Sequence, residues 1–297
     1  MRKSPLPEVD GVAASRQHLP RGGWPTVLDF LAERHPRVGL EVWALRMLEG
    51  RVVDEAGRRL TPESPYRAGA CVFYYREPKA EPAVPFKEHI LYADDHILVA
   101  DKPHFLPVLP AGRFLRETLL VRLKRRTGAE HLAPLHRIDR ETAGVVLFSV
   151  DPSTRGAYAS LFQRREVSKV YEALAPAAPH GLRFPLTRRS RIVAGEPFFR
   201  MKEAEGEPNS ETRVGLLRGA WRGGALYEAR PVTGRKHQVR LHLSALGIPV
   251  LNDRLYPSVL PDEPEDFSAP LKLLARSLSF RDPLDGSERH FVSEREL

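Results

Sequence analysis

The chain has 297 residues, of which 42% are hydrophobic, so it can bury a core and is not a disordered polypeptide. Its single cysteine, Cys71, excludes an internal disulfide and a cysteine-rich zinc site. Lys and Arg number 46 against 38 Asp and Glu, and the charge of +8 suggests a polyanionic partner such as a nucleic acid. Solvated surface charge explains the same surplus equally well.

The sequence carries no sign of a membrane segment. No run of apolar residues approaches the roughly 20 that cross a bilayer. The N-terminal segment MRKSPLPEVDG has two basic residues but no apolar stretch behind them, so it does not resemble a signal peptide. With a single cysteine, we expect a protein of a reducing, cytoplasmic setting that has no membrane partner.

The N-terminal part predicts a small α/β domain behind a tail. Residues 1–24 are rich in Pro, Gly and polar residues. Apolar spacing predicts a helix in TVLDFLAERHP, followed by Pro36, and a second helix in EVWALRMLEG, capped by Gly50. RVVD and a turn-like EAGR then lead to ACVFYY, which reads as a strand. Three prolines in REPKAEPAVP, residues 76–85, predict a linker, so we place a domain boundary near residue 82.

The remaining chain, 83–297, predicts an α+β domain rich in antiparallel sheet. Helices are predicted in FLRETLLVRLKRRTG, which Gly128 ends, in the segment that Asp151–Pro152 opens, and in RKHQVRLHLSALG. Strands are predicted in HILY, HILVADKP, GVVLFSV, KVYEALA, several segments between 182 and 232, and a hairpin around the DPLDG turn. Gly195–Glu211 reads as a loop that varies with substrate.

The densest cluster of functional side chains is HRIDRETAG, which runs directly into a buried strand. Asp139 lies there among His136, Arg137 and Arg140. An opposite charge within a few ångströms favours the ionised carboxylate, and an ionised, positioned carboxylate can act as a nucleophile or a base. A structural Asp–Arg ion pair or a turn-forming Asp accounts for these nine residues about as well.

A second cluster, RPVTGRKHQVRLH, combines Arg, His and Gln at the start of a predicted helix. Arg235–Lys236 opens the helix, and Gln238 and Arg240 are placed to reach different faces of a substrate groove. His237 and His242 are five positions apart and so do not share a helical face as a zinc pair would, which argues against a metal site. The alternative is a solvated basic helix start, although such a face would favour Lys and Glu.

Two further segments suggest contacts with nucleic acid. In SKVYEALA, Lys169 and Tyr171 alternate on one face of a strand, where a flipped base would need an aromatic ring. Such a tyrosine is more often part of a core. A basic stretch is equally consistent with RNA contact and with an ordinary exposed helix face. It comprises Arg113, Arg116, Arg122, Lys124, Arg125 and Arg126.

Taken together, these segments resemble RluA-type pseudouridine synthases in order and spacing. The resemblance covers about residues 86–293 and includes HILYADDHILVADKPHFLPVLP, HRIDRETAG, SKVYEALA, TGRKHQVRLHLSALGIPVLNDRLY and LLARSLSFRDPLDG. It implies a mixed, mainly antiparallel sheet with a central active-site cleft. It also implies a monomer that isomerises uridines in structured RNA, with ribosomal RNA favoured over transfer RNA. The reaction involves no redox change and no net hydrolysis, so no cofactor is expected.

The resemblance also implies roles for individual residues. Asp139 matches the aspartate that attacks the target nucleotide, and Arg137 resembles the arginine that fills the gap left by the flipped base. Tyr171 matches the tyrosine that packs against the uracil, and Arg240 the arginine that pairs with the catalytic carboxylate. The other residues expected in the substrate groove are His136, Arg140, Lys169, Arg235, His237 and Gln238.

The chain departs from the family pattern at four places. Ala143 replaces the usual Ser, Asp101–Lys102–Pro103 replaces Asn-Lys-Pro, His104–Phe105 replaces a small Ala-Gly, and Asn252–Asp253 replaces Gly-Asp. None of these changes removes a proposed catalytic residue. Together they suggest a divergent branch that acts on a different RNA.

Residues 26–76 resemble the small RNA-binding domain of ribosomal small-subunit protein four, which often precedes this catalytic domain. The helix–helix–strand order fits, but Asp54–Glu55–Ala56–Gly57 replaces the usual Asn-Gly after the first strand. We therefore predict domains at 1–82, the tail and the RNA-binding-like domain, and at 83–297, the catalytic domain.

Other classes of protein fit the sequence less well. A non-catalytic RNA-binding or ribosome-assembly protein on the same scaffold would have no need of the Asp139 carboxylate. A zinc deaminase is excluded because one cysteine cannot supply its metal ligands. A nuclease would need a cluster of metal-binding carboxylates, and a glycosidase a second carboxylate as acid partner; neither is evident.

Overall fold

A computed structural model describes residues 4–77, 81–261 and 266–297 of the chain. These residues divide into two compact units. The first contains the described part of Met1–Pro82 together with Pro110–Arg116, and the second contains Ala83–Leu109 and the described part of Glu117–Leu297. The predicted linker, 76–85, includes residues 78–80, which lie outside the described part of the chain.

The first unit packs two helices against a three-stranded antiparallel sheet of order β1-β3-β2. Both predicted helices are confirmed. The first begins after a capping box, in which the Thr26 hydroxyl accepts a hydrogen bond from the Asp29 backbone N–H and the Asp29 carboxylate accepts one from the Thr26 backbone N–H. The elements are β1 (Ser15–His18), α1 (Val27–Arg34), α2 (Leu40–Leu48), β2 (Val52–Val53) and β3 (Cys71–Tyr74).

The second unit is built around one large sheet with three helices beside it. Its helices are α3 (Leu119–Thr127), α4 (Arg155–Arg164) and α5 (Gln238–Ala245). Its strands are β4 (His89–Ala93), β5 (Ile97–Lys102), β6 (Ala133–Pro134), β7 (Ala143–Ser149), β8 (Ser168–Ala175), β9 (Leu186–Ala194), β10 (Met201–Ala204), β11 (Ser210–Trp221), β12 (Gly224–Pro231), β13 (Leu273–Arg281) and β14 (Glu288–Val292).

The large sheet confirms the predicted α+β, mainly antiparallel class. Its strands follow the order β10-β9-β11-β12-β8-β13-β7-β5-β4, with β14 paired to β13 and β6 to β7. Every pairing is antiparallel except that of β13 with β7. Strand β13 therefore joins two half-sheets, one ending in β7 and the other in β8.

Gly144 makes this parallel junction possible. Its φ is +114°, and a Cβ at this position would lie 2.2 Å from the Ala275 carbonyl oxygen. Only glycine combines this backbone conformation with so close an approach of two strands. The last residue of HRIDRETAG thus fastens the segment that carries Asp139 to the sheet.

Two predicted helices begin later than expected. Helix α3 was predicted from Phe114, but it begins at Leu119, because the Thr118 hydroxyl caps it by accepting a hydrogen bond from Val121 N–H. Helix α4 was predicted to open at Asp151–Pro152. The Asp151 carboxylate instead caps a turn by accepting a hydrogen bond from Ser153 N–H, at 2.8 Å, and the helix starts at Arg155.

The segment Gly195–Glu211 is not the loop that was predicted. It contains β10, which pairs antiparallel with β9 so that Lys202 lies opposite Val193, and it continues into β11. Only residues 195–200 and 205–209 connect these strands. The Gly, Glu and Pro residues that suggested a loop lie mainly in the two turns, and they masked a strand of four residues.

Candidate active site

A cleft of about 780 Å³ opens where three segments of the second unit meet. These segments are the loop before β7, the strand β8 and the loop before α5. Nine of the ten predicted site residues line it: His136, Arg137, Asp139, Lys169, Tyr171, Arg235, His237, Gln238 and Arg240. Arg140 does not line the cleft, because its guanidinium turns to Glu141, at 2.9 Å.

Asp139 lies in the turn that leads into β7, where its carbonyl accepts a hydrogen bond from Thr142 N–H at 3.2 Å. Its side chain is 20% exposed. Its carboxylate accepts a hydrogen bond from Arg240 Nη1 at 3.2 Å and lies 3.8 Å from His237 Nε2. Burial lowers the pKa of His237, although the Asp139 charge opposes this, so the imidazole is mainly neutral at pH 7. The permanent counter-charge of Asp139 is therefore Arg240.

The ion pair with Arg240 is the one that the family resemblance implies, and His136 and Arg137, which lie in the same loop as Asp139, do not supply its charge partner. His136 is neutral, because burial, assisted by the nearby Lys169 charge, lowers its pKa to about 3. Its Nε2 accepts a hydrogen bond from Leu147 N–H at 3.0 Å, and its ring stacks on Phe162. Arg137 is exposed and forms no ion pair within the described residues. The partner comes instead from a residue 101 positions away.

Arg240 is the centre of the ionic network. Its side chain is 2% exposed and donates two hydrogen bonds to Asp253, at 2.7 and 2.8 Å, while its third nitrogen reaches Asp139. Burial opposes the charge of Arg240, but the Asp253 hydrogen bonds and the Asp139 charge outweigh it and raise its pKa. The Tyr256 ring covers the guanidinium at 5.5 Å from its centroid. The arginine is thus fixed in charge and in position.

Tyr171 and Lys169 approach the cleft from the same strand, β8. Burial and the Asp139 charge raise the pKa of Tyr171, so the phenol stays protonated, and its hydroxyl has no hydrogen-bond partner in the described chain. The Lys169 ammonium bonds the Thr233 carbonyl at 3.4 Å, and burial lowers its pKa. One wall of the cleft therefore presents an aromatic ring beside a cation.

The loop before α5 differs from its prediction. His237 has φ +57° and precedes the first helical residue, so the helix begins at Gln238 and Arg235–Lys236 belongs to the loop. The Gln238 amide is fully used within the protein: it donates to the Glu211 carbonyl and the Thr212 hydroxyl, and its oxygen accepts from the Thr233 hydroxyl at 2.7 Å. Gln238 holds this loop, and a direct contact with substrate stays a prediction.

A further turn along α5, His242 is completely buried. Its ring lies 2.8 Å from the Thr212 hydroxyl and 3.0 and 3.1 Å from the hydroxyls of Ser190 and Ser210. Burial lowers the pKa of His242 to about 4, so the ring is neutral at pH 7. Gln238, Arg240 and His242 thus bind α5 to strands and loops through polar contacts.

The sequence analysis missed two residues that support the network. Asp253 was noted only as a departure from the family pattern, yet it is buried and also accepts hydrogen bonds from the backbone N–H groups of Leu255 and Tyr256. Lys102 is fully buried and donates to three carbonyls, those of Pro103, Leu106 and Arg140, at 2.7 to 3.0 Å. Burial lowers the pKa of Lys102 to about 7, although Glu141 and Asp139 oppose this. Asp253 and Lys102 could have been found in the sequence as charged residues close to apolar segments.

The basic stretch around α3 does not form one exposed face. Arg122 pairs with Glu117 and with Glu88 and is mostly buried, and Arg113 and Arg116 belong to the first unit, outside the helix. In residues 4–77, 81–261 and 266–297, no three His, Cys, Asp or Glu side chains group as a metal site would require. No helix in the same residues is long and apolar enough to span a bilayer.

Comparison with known proteins defines the class. The profile of the family described as RNA pseudouridylate synthase matches residues 96–245. Human RNA pseudouridylate synthase domain containing 1 is similar in structure, with a TM-score of 0.58 and 25% identity, covering 73% of this chain and 86% of that one.

Two curated relatives extend the likeness. An uncharacterized RNA pseudouridine synthase of Synechocystis is 31% identical over 235 residues, 77% of this chain and 79% of the relative. The dual-specificity RNA pseudouridine synthase RluA of Pasteurella multocida is 31% identical over 209 residues, 66% of this chain and 87% of the relative. The chain belongs to the RluA-type RNA pseudouridine synthase family, and it is an isomerase that acts on RNA.

Proposed function

We propose that the cleft isomerises a flipped uridine of structured RNA to pseudouridine, with Asp139 as its nucleophile. The observation that carries this proposal is the meeting of Asp139, Arg240 and Tyr171, which come from three separate segments, in one cleft. A binding protein has no need of a partly exposed carboxylate that is paired with a buried arginine. An enzyme that must present a nucleophile to a substrate needs such a carboxylate.

The charge of the cleft supports an RNA backbone as the ligand. Besides Arg240, five cations line it, and none of these five pairs with a carboxylate within residues 4–77, 81–261 and 266–297. Unneutralised cations attract phosphates and release their counterions. They are Arg137, Arg165, Lys169, Arg235 and Lys236.

The target base must leave the helical stack before reaction, at a cost of roughly a few kcal/mol. A cleft of about 780 Å³ has room for one nucleotide, and exposed Arg137 stands at its edge, free to occupy the gap left in the RNA. Inside the cleft, the Tyr171 ring would lie against the uracil. Its protonated hydroxyl, without a protein partner, remains available to an oxygen of the substrate.

The isomerisation breaks the bond from nitrogen 1 of uracil to the sugar and forms a bond from carbon 5. Three routes are open to the Asp139 carboxylate: attack on the sugar, attack on the base, or removal of a sugar proton. All three require the ionised form. The Arg240 guanidinium lies 3.2 Å from the Asp139 carboxylate and is itself held in position by Asp253, at 2.7 Å.

The wider assignment is also part of this proposal. Residues 1–82 would add RNA contacts as a domain like that of ribosomal protein four, and the enzyme would act as a cytoplasmic monomer. The preference for ribosomal over transfer RNA stays a prediction, since the cleft has no feature that reads one RNA class. Sequencing of pseudouridines in a strain lacking the gene would identify the target.

The direct test is tritium release from RNA labelled at carbon 5 of uridine, because forming pseudouridine displaces that tritium to water. The RNA should be total RNA from a strain lacking the gene. We expect release by the wild-type protein, and for Asp139→Asn a rate lower by roughly a thousandfold or more, as when a catalytic nucleophile is removed. Asp285→Asn, in the turn between β13 and β14, is the matched control and should retain full activity.

The alternative is a non-catalytic RNA-binding or assembly protein on this scaffold. It predicts no release by the wild-type protein from any RNA, together with tight RNA binding that Asp139→Asn leaves unchanged. Equal release by wild type and Asp139→Asn would leave the activity in place but would rule out Asp139 as the nucleophile.

A further inference from the structure

The turn between β9 and β10 carries two adjacent phenylalanines next to the cleft. Phe198 is 88% exposed and Phe199 38%, and their rings meet edge to face with centroids 5.4 Å apart. Phe198 is more exposed than any other large hydrophobic residue of the described chain. A single exposed apolar residue is ordinary, but two aromatic rings at one turn form a small platform.

The protein holds this platform in place. Within the turn, Arg200 N–H donates to the Pro197 carbonyl at 2.8 Å and Gly195 N–H to the Arg200 carbonyl at 3.0 Å. The Arg200 guanidinium bonds the Pro257 carbonyl and covers the Tyr256 ring at 5.1 Å. An exposed side chain on so well anchored a turn loses little further backbone freedom when it contacts a ligand.

The turn is also joined to the wall of the cleft. The Lys236 ammonium donates to the Phe199 carbonyl at 2.8 Å, and the Tyr256 hydroxyl, which accepts a hydrogen bond from Met201 N–H, shares another with His237. Lys236 and His237 both line the cleft. The backbone of Phe199, the residue after Phe198, is therefore joined to the wall of the cleft by one hydrogen bond.

Arg200, in the same turn, and Lys236, bonded to the Phe199 carbonyl, bring positive charge to the platform. Arg200, Lys236 and Arg235 bond to backbone carbonyls, and none of them pairs with a carboxylate in the part of the chain that the structure describes. Glu196, exposed in the same turn, offsets one of these charges. An exposed aromatic ring among surplus cations is the arrangement that binds unpaired bases and their phosphates.

We propose that Phe198 stacks on an unpaired base of the RNA substrate that flanks the target uridine, while Arg200 and Lys236 face the adjoining phosphates. This contact rests on the proposed function of the cleft and extends the RNA site beyond it. It selects targets in loops, where a flanking base is free to stack, over uridines within a continuous duplex. The turn formed by residues 195–200 thus reads the context of the target.

Kinetics on the labelled total RNA test the contact. Loss of one base–aromatic stack should lower the apparent kcat/KM of Phe198→Ala about tenfold, which corresponds to about 1.4 kcal/mol, with kcat changed less. Phe198→Tyr should keep wild-type values, and Phe198→Leu, which is as apolar but has no aromatic face, should resemble Phe198→Ala. Leu284→Ala, an exposed apolar truncation in the β13–β14 turn, is the control and should have no effect.

A binding measurement separates this contact from the chemistry of the cleft. The indole introduced by Phe198→Trp should be quenched when total RNA is added, whereas that introduced by Leu284→Trp should not, against the background of the three native tryptophans. Asp139→Asn should leave the quenching intact, so failure of catalysis and failure of the contact are distinguishable. Wild-type kinetics for Phe198→Ala or Phe198→Leu, or quenching by anionic lipid vesicles but not by RNA, would overturn the proposal.

Discussion

Two short helices of this protein depart in opposite ways from the rule that apolar side chains are buried and polar ones exposed. Helix α5, in the second unit, places three polar side chains in the interior; they are Gln238, Arg240 and His242. Helix α2, in the first unit, buries Trp43 and Met47 but exposes four aliphatic side chains. These are Leu40, Val42, Leu45 and Leu48.

The buried polar side chains of α5 and the exposed aliphatic side chains of α2 differ greatly in the free energy that they cost. A buried polar group without a partner costs about 1–3 kcal/mol, so each polar side chain of α5 is held by several hydrogen bonds. An exposed aliphatic side chain needs no partner. The polar interior of α5 is therefore where the active site is built, and changes there should have far larger effects than changes on the exposed face of α2.

The largest effect is expected from Asp253→Ala. Removing this carboxylate leaves the buried Arg240 charge with Asp139 as its nearest partner, and breaking a buried ion pair typically costs about 3–5 kcal/mol. We expect that loss in the free energy of unfolding, measured with urea, and loss of tritium release. Asp285→Ala, an exposed aspartate, should change neither quantity. Full activity in Asp253→Ala would show that Arg240 needs no support from Asp253.

The second prediction concerns pH and His242. In the unfolded chain a histidine titrates near 6.5, whereas burial keeps the pKa of folded His242 at about 4. Below pH 6.5, His242 becomes protonated in the unfolded state while it stays neutral in the folded state. Stability therefore falls as the pH drops, by about 1.4 kcal/mol per pH unit, until the folded histidine titrates.

Urea unfolding between pH 7.5 and 4.5 measures this effect. His136 and His104 have lowered pKa values of about 3 and 4, also because of burial, and add to the slope. The variant His242→Gln removes one of these titrations, so its stability should depend less steeply on pH than that of the wild-type protein. Identical slopes would mean that His242 is not buried in its neutral form.

A smaller effect is expected at the start of helix α1, in the first unit. Thr26→Ala removes the side chain that caps the helix, and loss of such a cap costs about 1 kcal/mol. Thr26→Ser keeps the hydroxyl and should retain most of that stability. Because Thr26 lies outside the cleft, tritium release at low temperature should stay at the wild-type rate in both variants.

The smallest effect is expected on the exposed face of α2. Leu48 is 69% exposed, so Leu48→Ser should change the free energy of unfolding by no more than about 0.5 kcal/mol. Trp43→Ser, on the buried side of the same helix, is the contrasting variant and should be strongly destabilised. A large loss in Leu48→Ser would show that this face is covered in solution and would weaken the comparison of the two helices.

Much of the fold could be predicted because its signals are local. Apolar periodicity identified α1 and α2, and β-branched runs identified β5 and β7. The errors lie where a side-chain hydrogen bond sets a boundary, as at Thr118 and Asp151, or where turns surround a short strand, as for β10. Such bonds depend on geometry that residue type alone does not fix.

The central ion pair of the cleft was predicted, but the residue that supports it was not. The family motifs identified Asp139, Tyr171 and Arg240, and they implied the pairing of Asp139 with Arg240. The two hydrogen bonds from Arg240 to Asp253 were not predicted, because they depend on contacts that form only in the folded chain. Residues close in sequence share a loop, whereas the partner of a charged group is set by which segments the sheet brings together.

The place of β13 in the sheet has a consequence for synthesis of the protein. A ribosome that has passed Arg240 has already made Asp139, Tyr171 and Arg240. The strand that joins their two supports, Leu273–Arg281, is still to be translated. A nascent chain should therefore be inactive until β13 inserts between β7 and β8. Removal of the residues from Leu273 onward should inactivate the finished protein in the same way.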